Sequence, residues 1–295
     1  MPKSDKSASD KHTDTRVPAS AETGSPASSH QSDNSNCLVL VVEDSTVNQE
    51  VATTMLDWLG CSVVVAENGV AALEAVQRAE FDLILMDCQM PEMDGLEATR
   101  ALRRKEQTES TRHIPIVALT ANAILGDREK CVQAGMDDYI AKPFDLEDLE
   151  NALKKWCSTR ADIAPNVEPK QPDTETAIGQ IDPKALQNIR DLQRPGHDSV
   201  VLRLIDAYLD SSRKLIDELH RALLEGDEQT AQRSAHTLKS SSAMLGALQL
   251  AEIGEQIETH ARVGNLTKIH PLMQHFDSVY LSTCASLLTL REQEI

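Results

Sequence analysis

Aromatic and basic residues are both scarce in this sequence. Phe, Trp and Tyr make up 3% of its 295 residues, and acidic side chains outnumber basic ones to give a net charge of -18. Few aromatic rings means no stacking platform for single-stranded nucleic acid. The negative charge disfavours both nucleic acid and an anionic membrane surface. We therefore predict a chain without a nucleic-acid partner.

Long hydrophobic runs are also absent. The run at residues 38–42 is among the longest, and spanning a bilayer takes about 20 apolar residues. Residues 1–36 contain no apolar segment of the kind found in secretory signals. No CxxC pair or metal-binding spacing occurs, which predicts reduced thiols and a cytoplasmic location. The six cysteines are Cys37, Cys61, Cys88, Cys131, Cys157 and Cys284.

Composition divides the chain into four parts. Residues 1–36 are rich in Ser, Asp, Lys and Thr without apolar periodicity, which predicts a disordered tail. Residues 37–158 alternate between strand-like and helical patterns. Residues 159–180 contain three prolines and little apolar content, which predicts a linker. Residues 181–295 have only helical periodicity, broken by glycines, which predicts one short and four longer helices in a bundle.

The alternating region predicts a parallel sheet covered by helices on both faces. Five short apolar runs are separated by helical segments, and such an order implies a doubly wound, flavodoxin-like α/β domain with right-handed crossovers. The predicted strands are residues 38–42, 62–65, 83–86, 116–119 and 139–141.

Polar residues follow four of these strands. Because the carboxyl ends of parallel strands share one edge of the sheet, we expect these side chains to meet there. Crowded carboxylates repel one another, and a hard divalent cation such as Mg²⁺ relieves that repulsion. A lysine and a hydroxyl beside them suit a phosphoryl group. The residues are Glu43, Asp44, Asp87, Thr120 and Lys142.

Residues 37–158 resemble a response-regulator receiver domain. The resemblance is carried by VVEDSTVNQE at 41–50, MDCQMPEMDG at 86–95, ALTA at 118–121 and YIAKP at 139–143. It implies that Asp87 is the phosphoacceptor. It also implies a cis peptide bond between Lys142 and Pro143.

The same resemblance implies the roles of the remaining site residues. Glu43, Asp44 and Asp87 would bind Mg²⁺ together with the backbone carbonyl of Gln89. Thr120 and Lys142 would contact the phosphoryl group, and Tyr139 would be the switching aromatic, with Thr120 sharing in the switch. The sequences of these motifs are most similar to those of receivers attached to hybrid sensor kinases.

A second candidate residue, His236, lies in a predicted helix. On a helical wheel it projects about 130° away from the apolar stripe, which predicts a solvent-facing imidazole. Lys239 lies one turn further on, beside Ser240 in a patch of mostly small side chains. The stripe consists of Ala231, Ala235, Leu238, Ser242 and Leu245.

Residues 181–295 resemble a histidine-containing phosphotransfer (HPt) domain through AHTLKSSS at 235–242. The resemblance implies that His236 carries a phosphoryl group and that Lys239 supports it. Ser240 departs from the family, which usually has glycine at this position. Because serine is also small, we expect function to survive, with an altered partner preference.

The combined hypothesis is a phosphorelay intermediate. A histidine kinase phosphorylates Asp87, and phosphate passes through His236 to or from a downstream receiver. No nucleotide-binding motif or ATP lid is visible, so the chain is predicted not to be a kinase itself. Three alternatives stay open: a phosphorylation-gated binding protein, a phosphate sink, and the C-terminal fragment of a hybrid sensor kinase. The initial Met favours a free-standing protein.

Overall fold

The computed structural model describes residues 37–121, 125–157, 181–194 and 198–294, without the side chains of 125–127. The predicted disordered tail at 1–36 and the predicted linker at 159–180 lie outside the described residues.

The N-terminal domain is built on a five-stranded parallel sheet. The strands are ordered β2-β1-β3-β4-β5, and every neighbouring pair is parallel. This confirms the predicted doubly wound domain. The strands are β1 (Leu38–Val42), β2 (Ser62–Ala66), β3 (Leu83–Asp87), β4 (Ile116–Thr120) and β5 (Asp138–Ala141).

Helices cover both faces of this sheet. Strands β3 and β4 are buried along their whole length, as expected of central strands in a parallel sheet. Alternate residues of β1 enter different hydrophobic clusters: Val39 and Val41 one, Leu40 and Val42 the other. The helices are α1 (Thr46–Trp58), α2 (Gly69–Arg78), α3 (Gly95–Glu109), α4 (Leu125–Ala134) and α5 (Leu146–Trp156).

The C-terminal domain is helical throughout its described residues. One short helix precedes four longer ones, as predicted, and a 3₁₀ turn at Leu266–Lys268 leads into the last. Within the described parts of the chain, no helix combines the length and apolarity needed to cross a membrane. The helices are α6 (Pro183–Arg190), α7 (Val200–Glu225), α8 (Glu228–Leu245), α9 (Leu248–Arg262) and α10 (Ile269–Gln293).

Two cysteines are paired. A disulfide joins Cys37, just before β1, to Cys157 at the end of α5, so the prediction of six reduced thiols is wrong for this pair. Their Cα atoms lie 6.3 Å apart, within the distance that a disulfide spans. No short motif indicates the pairing because the fold brings together residues 120 positions apart. The free thiols are Cys61, Cys88, Cys131 and Cys284.

Candidate functional site

Three carboxylates meet at the carboxyl edge of the sheet. Glu43 and Asp44 follow β1, and Asp87 is the last residue of β3, which is paired with β1 so that Val42 lies opposite Met86. One carboxylate oxygen from each acid lies within 4.8 Å of the other two. Glu43 and Asp87 are each 1% exposed. The edge therefore concentrates negative charge away from bulk water.

Lys142, which follows β5, offsets part of this charge. Its Nζ lies 2.5 Å from Oε2 of Glu43 and 2.7 Å from Oδ2 of Asp87. Burial alone lowers the pKa of Lys142, but the two carboxylates outweigh burial and raise it. Burial and the charge of Asp87 raise the pKa of Glu43 to about 8, against the effect of Lys142. The same two causes raise the pKa of Asp44 to about 6. One ammonium does not balance three carboxylates.

The loop after β3 requires glycine at position 95. A Cβ atom there would lie 2.0 Å from the backbone oxygen of Asp87, which no side chain tolerates. The α3 helix begins at this point because Asp94 caps it, accepting a hydrogen bond from the backbone N–H of Glu97 at 2.7 Å. Close packing of α3 against the end of β3 thus fixes the backbone of Asp87. The peptide bond before Pro143 is cis, as expected.

His236 is buried, with 2% of its surface exposed, so the prediction of a solvent-facing imidazole is wrong. The wheel placed the apolar stripe correctly, since all five of its residues are buried. Away from that stripe, however, the imidazole is enclosed between α9 and the N-terminal domain. Ser240, predicted to lie in the same exposed patch, is 3% exposed. A helical wheel of α8 alone contains no information on either neighbour.

Glu258 of α9 is a site residue that sequence reasoning missed. Its Oε1 lies 3.3 Å from Nδ1 of His236, and the same carboxylate pairs with Lys239 and Arg262, each at 2.5 Å. Burial raises the pKa of Glu258, but the close contact with His236, the charge of His236 and the neighbouring Lys239 lower it to about 2. The distance of 3.3 Å is within ion-pair range, although Nδ1 of His236 has no partner in hydrogen-bond geometry among the described residues. The only signal in the sequence was an acid on the buried face of α9.

A cavity of about 40 Å³ connects the two clusters. Asp87 and Thr120 line it from the sheet edge, and His236, Lys239 and Arg262 line it from the bundle. Its volume exceeds the roughly 15 Å³ that one water molecule requires. The structure therefore places the predicted phosphoacceptor and the predicted phosphocarrier on opposite walls of one small space.

Two other predicted residues occupy different positions relative to this cavity. Gln89 lines it, and its backbone N–H donates to Oδ1 of Asp87 at 3.2 Å. Tyr139 is not among the lining residues. Its ring packs against the cluster on one face of the sheet, with the guanidinium of Arg128 5.5 Å from the ring centroid.

Comparison with known families agrees with this division of the chain. Residues 39–154 match the response regulator receiver domain, and residues 203–291 match the Hpt domain. The chain thus contains a region that matches a receiver domain, followed by a region that matches an Hpt domain.

Its relatives include bacterial sensor kinases. Sensor protein GacS of Pseudomonas syringae pv. syringae is 45% identical over 118 residues, covering 40% of this chain and 13% of that protein. Sensor histidine kinase GacS of Pseudomonas protegens is 32% identical over 228 residues, covering 75% of this chain and 24% of that protein. The chain thus spans about a quarter or less of the length of these relatives.

A solved receiver domain from a sensor histidine kinase of Pseudomonas aeruginosa is also similar. It is 46% identical, with a TM-score of 0.38, and the match covers 41% of this chain and 97% of that one. That structure is described with a magnesium ion coordinated in its active-site cleft.

Proposed function

We propose that this chain is an intermediate of a two-component phosphorelay. Asp87 accepts a phosphoryl group from a histidine kinase, and His236 receives it and exchanges it with another receiver. The observation that carries this proposal is the shared cavity, since Asp87 and His236 line the same space. Both residues are nearly fully buried there, which excludes most of the water that hydrolyses an acyl phosphate.

Glu258 selects the tautomer of His236 that this reaction needs. A carboxylate close to Nδ1 favours a proton on that nitrogen and leaves the lone pair on Nε2. Among the described residues, neither ring nitrogen has a partner in hydrogen-bond geometry, and Nδ1 is the one with a carboxylate oxygen 3.3 Å away. The Nε2 atom then attacks phosphorus, a nitrogen–phosphorus bond forms, and the bond to the Asp87 oxygen breaks to return a carboxylate. The imidazole becomes cationic, and the carboxylate of Glu258 stabilises that charge.

Basic side chains neutralise the phosphoryl oxygens on both sides of the transfer. Lys142 contacts Asp87 before transfer, and Lys239 and Arg262 line the cavity on the side of His236. Phosphoryl transfer depends mainly on positioning and on such charge stabilisation. Thr120, also on the cavity wall, supplies a hydroxyl for the phosphoryl group.

The acidic cluster fits a magnesium ion. Its ligands would be Glu43, Asp44, Asp87 and the backbone carbonyl of Gln89, an oxygen-only set of the kind that Mg²⁺ prefers. The raised pKa values of Glu43 and Asp44 support this fit because burial, and then the charge of Asp87, disfavour their ionised forms, which a bound cation would stabilise. When bound, the ion supplies positive charge to the phosphoryl oxygens.

Phosphorylation of Asp87 also suits a conformational switch. The added charge of about -1.5 to -2 lies next to Thr120 at the end of β4. Tyr139 is the second residue of the neighbouring strand, β5, and its paired residue on β4 is Ala118. We propose that Thr120 and Tyr139 are the residues that change conformation in response to the added charge.

The kinase that donates the phosphoryl group is proposed to be of the sensor type. Neither family matched by this chain is a kinase domain, so the donor's ATP-binding domain lies in another part of the same polypeptide or in a separate one. The first arrangement is supported by the sensor-kinase relatives, of which this chain covers about a quarter or less. Because such a kinase uses ATP, the proposal includes a cytoplasmic location. The chain itself is proposed to be a phosphotransfer protein whose receiver catalyses its own phosphorylation and dephosphorylation.

Label transfer tests this function. Full-length protein is incubated with Mg²⁺ and a radiolabelled acyl phosphate, and acid-labile and base-labile label are assigned to residues by mass spectrometry. Wild type is expected to carry label on Asp87 and His236, His236→Gln on Asp87 alone, and Asp87→Asn on neither. Label confined to Asp87 in wild type would indicate a phosphate sink or a binding switch instead. Label that reaches Asp87→Asn at the wild-type rate would refute the assignment of the acceptor.

A further inference from the structure

Helix α1 of the receiver packs against the helical bundle. One hydrophobic cluster contains Val47 and Val51 of α1 together with Val200 and Leu204 of α7. The two domains therefore share a continuous apolar core at this interface, in addition to the cavity between their reactive residues.

Two ion pairs flank that apolar contact, and in both of them the receiver supplies the acid and the bundle supplies the base. Nε of Arg203 lies 2.7 Å from Oε1 of Glu50, and the guanidinium of Arg194 lies 3.2 Å from Oδ2 of Asp57. Arg194 also donates to the backbone oxygen of Asp57. Both acids belong to α1 and both arginines to the bundle, so this surface of the bundle is matched to an acidic helix.

Two hydroxyl groups of α8 contact the acidic edge of the receiver directly. Oγ1 of Thr237 donates to Oδ2 of Asp44 at 3.1 Å, and Nδ2 of Asn48 donates to Oγ of Ser240 at 3.1 Å. Asn48 is fully buried, and its second Nδ2 hydrogen goes to Oε1 of Glu43 at 2.9 Å. A single amide thus connects the helix that carries the histidine to the acidic site.

We propose that the pairing of Asn48 with Ser240, flanked by the two arginine–carboxylate pairs, makes the bundle selective for the receiver of its own chain. A receiver without an amide donor at this position of α1 leaves the buried hydroxyl of Ser240 without that donor, and one without the acids leaves two arginines unpaired. The docked receiver also covers His236, so a downstream receiver reaches the histidine only after α1 has separated from α8. This selectivity deepens the proposed relay and rests on it for its biological role, whereas the docking itself requires no phosphate.

Chemical modification of His236 measures the docking in the full-length protein. Diethyl pyrocarbonate acylates accessible imidazoles, and peptide mass spectrometry gives a rate for each histidine. His270 is exposed and provides the internal reference. In wild type, we expect His236 to react at least about tenfold more slowly than His270.

A matched pair of serine variants isolates the contact between domains. Ser240 and Ser241 are both buried, and both donate to the backbone oxygen of Thr237. The hydroxyl of Ser240 additionally accepts from Asn48. Ser240→Ala is expected to raise the reactivity of His236 about tenfold, as follows when a buried donor loses its acceptor, and Ser241→Ala less than about twofold.

Double variants test whether the named pairs act directly. If Asn48→Ala and Ser240→Ala act through one hydrogen bond, the double variant opens the interface less than the sum of the single effects. Glu50→Arg and Arg203→Glu should each raise the reactivity of His236 about twofold to fivefold, and together they should restore protection.

Equal reactivity of Ser240→Ala and Ser241→Ala would overturn this assignment, as would a wild-type His236 as reactive as His270. Neither result depends on phosphate. If label reaches His236 although the histidine reacts like an exposed one, the relay stands and the docking proposal fails. If His236 is protected through Ser240 but never acquires label, the docking proposal stands and the relay fails.

Discussion

The two sides of the cavity have different charge balances. At the sheet edge, three carboxylates surround one ammonium group, and the pKa values of Glu43 and Asp44 are raised to about 8 and about 6, by burial first and by Asp87 second. In the bundle, one carboxylate has three nitrogen-bearing neighbours, and the pKa of Glu258 is lowered to about 2 although burial opposes that shift. The first side lacks positive charge and suits a metal ion. The second is closer to balance, since Lys239 and Arg262 face Glu258 and Glu255, and it brings two cationic side chains to the cavity wall for an incoming phosphoryl group.

This asymmetry gives each domain a separate contribution to the reaction. In the proposed reaction, the receiver would hold the phosphoryl group with Lys142 and a bound cation on a rigid sheet edge. The bundle would offer His236 as the nucleophile, with Glu258 beside its Nδ1 and with Lys239 and Arg262 already in its surroundings. A phosphoryl group moving between them is stabilised on both sides, so neither end of the transfer requires free solvent.

The largest effect is expected when Glu258, the carboxylate beside His236, is replaced. Glu258→Gln keeps the shape of the side chain but loses the charge that fixes the proton on Nδ1 of His236. We expect transfer from Asp87 to His236 to slow by about a hundredfold while labelling of Asp87 is unchanged. Rapid-quench measurement of both labels tests this expectation. Glu255→Gln, at another acid that lines the cavity, is the control. An unchanged transfer rate in Glu258→Gln would remove Glu258 from the mechanism.

The stability difference between wild type and Glu258→Gln is also expected to depend on pH. Because the pKa of Glu258 falls from its ordinary 4.5 to about 2 on folding, its ionised form stabilises the fold above pH 4.5. That contribution, up to about 3 kcal/mol, is lost as the pH falls from 4.5 towards 2. The difference in free energy of unfolding between wild type and Glu258→Gln should shrink as the pH falls from 5 towards 3. Urea unfolding between pH 3 and pH 7 measures it, and a difference that grows towards pH 3 would contradict the assignment.

A pair of glycine variants compares the packing of the two regions. Gly95→Ala places a Cβ atom 2.0 Å from the oxygen of Asp87, whereas Gly226, between α7 and α8, has open space around it and a φ of 73°. We expect a loss of about 3 kcal/mol for Gly95→Ala and about 1 kcal/mol for Gly226→Ala. Only the first should also reduce labelling of Asp87. Equal losses of stability would show that the sheet edge is less tightly packed than its geometry indicates.

The smallest effect is expected at an exposed ion pair far from the cavity. Lys214 and Asp210 lie 2.7 Å apart on α7, with about three quarters of each side chain exposed (74% and 72%). Lys214→Ala should change the free energy of unfolding by less than about 0.5 kcal/mol. Labelling of Asp87 and His236 should stay at wild-type levels. A larger change at this site would mean that surface charge, rather than the two clusters, controls the stability and the labelling of the protein.

The receiver could be predicted almost completely from its sequence. Its strands are short, continuous apolar runs that end in polar residues, so the positions of Glu43, Asp87 and Lys142 followed from topology alone. For the bundle, the sequence predicted the features of each single helix, but it did not predict how the helices pack against one another. The buried stripe of α8 was correct, but the burial of His236 depends on α9 and on a second domain. Glu258 was missed for the same reason, since its role appears only when two helices are packed together.

The dependence of transfer on protein concentration tests most directly whether the two sides of the cavity act on each other. Wild-type protein is pulse-labelled on Asp87, and the appearance of label on His236 is followed over a hundredfold range of protein concentration. Transfer across a cavity within one chain gives a first-order rate constant that is the same at every concentration. A rate constant that rises in proportion to concentration would contradict transfer within the chain and assign it to collisions between separate molecules.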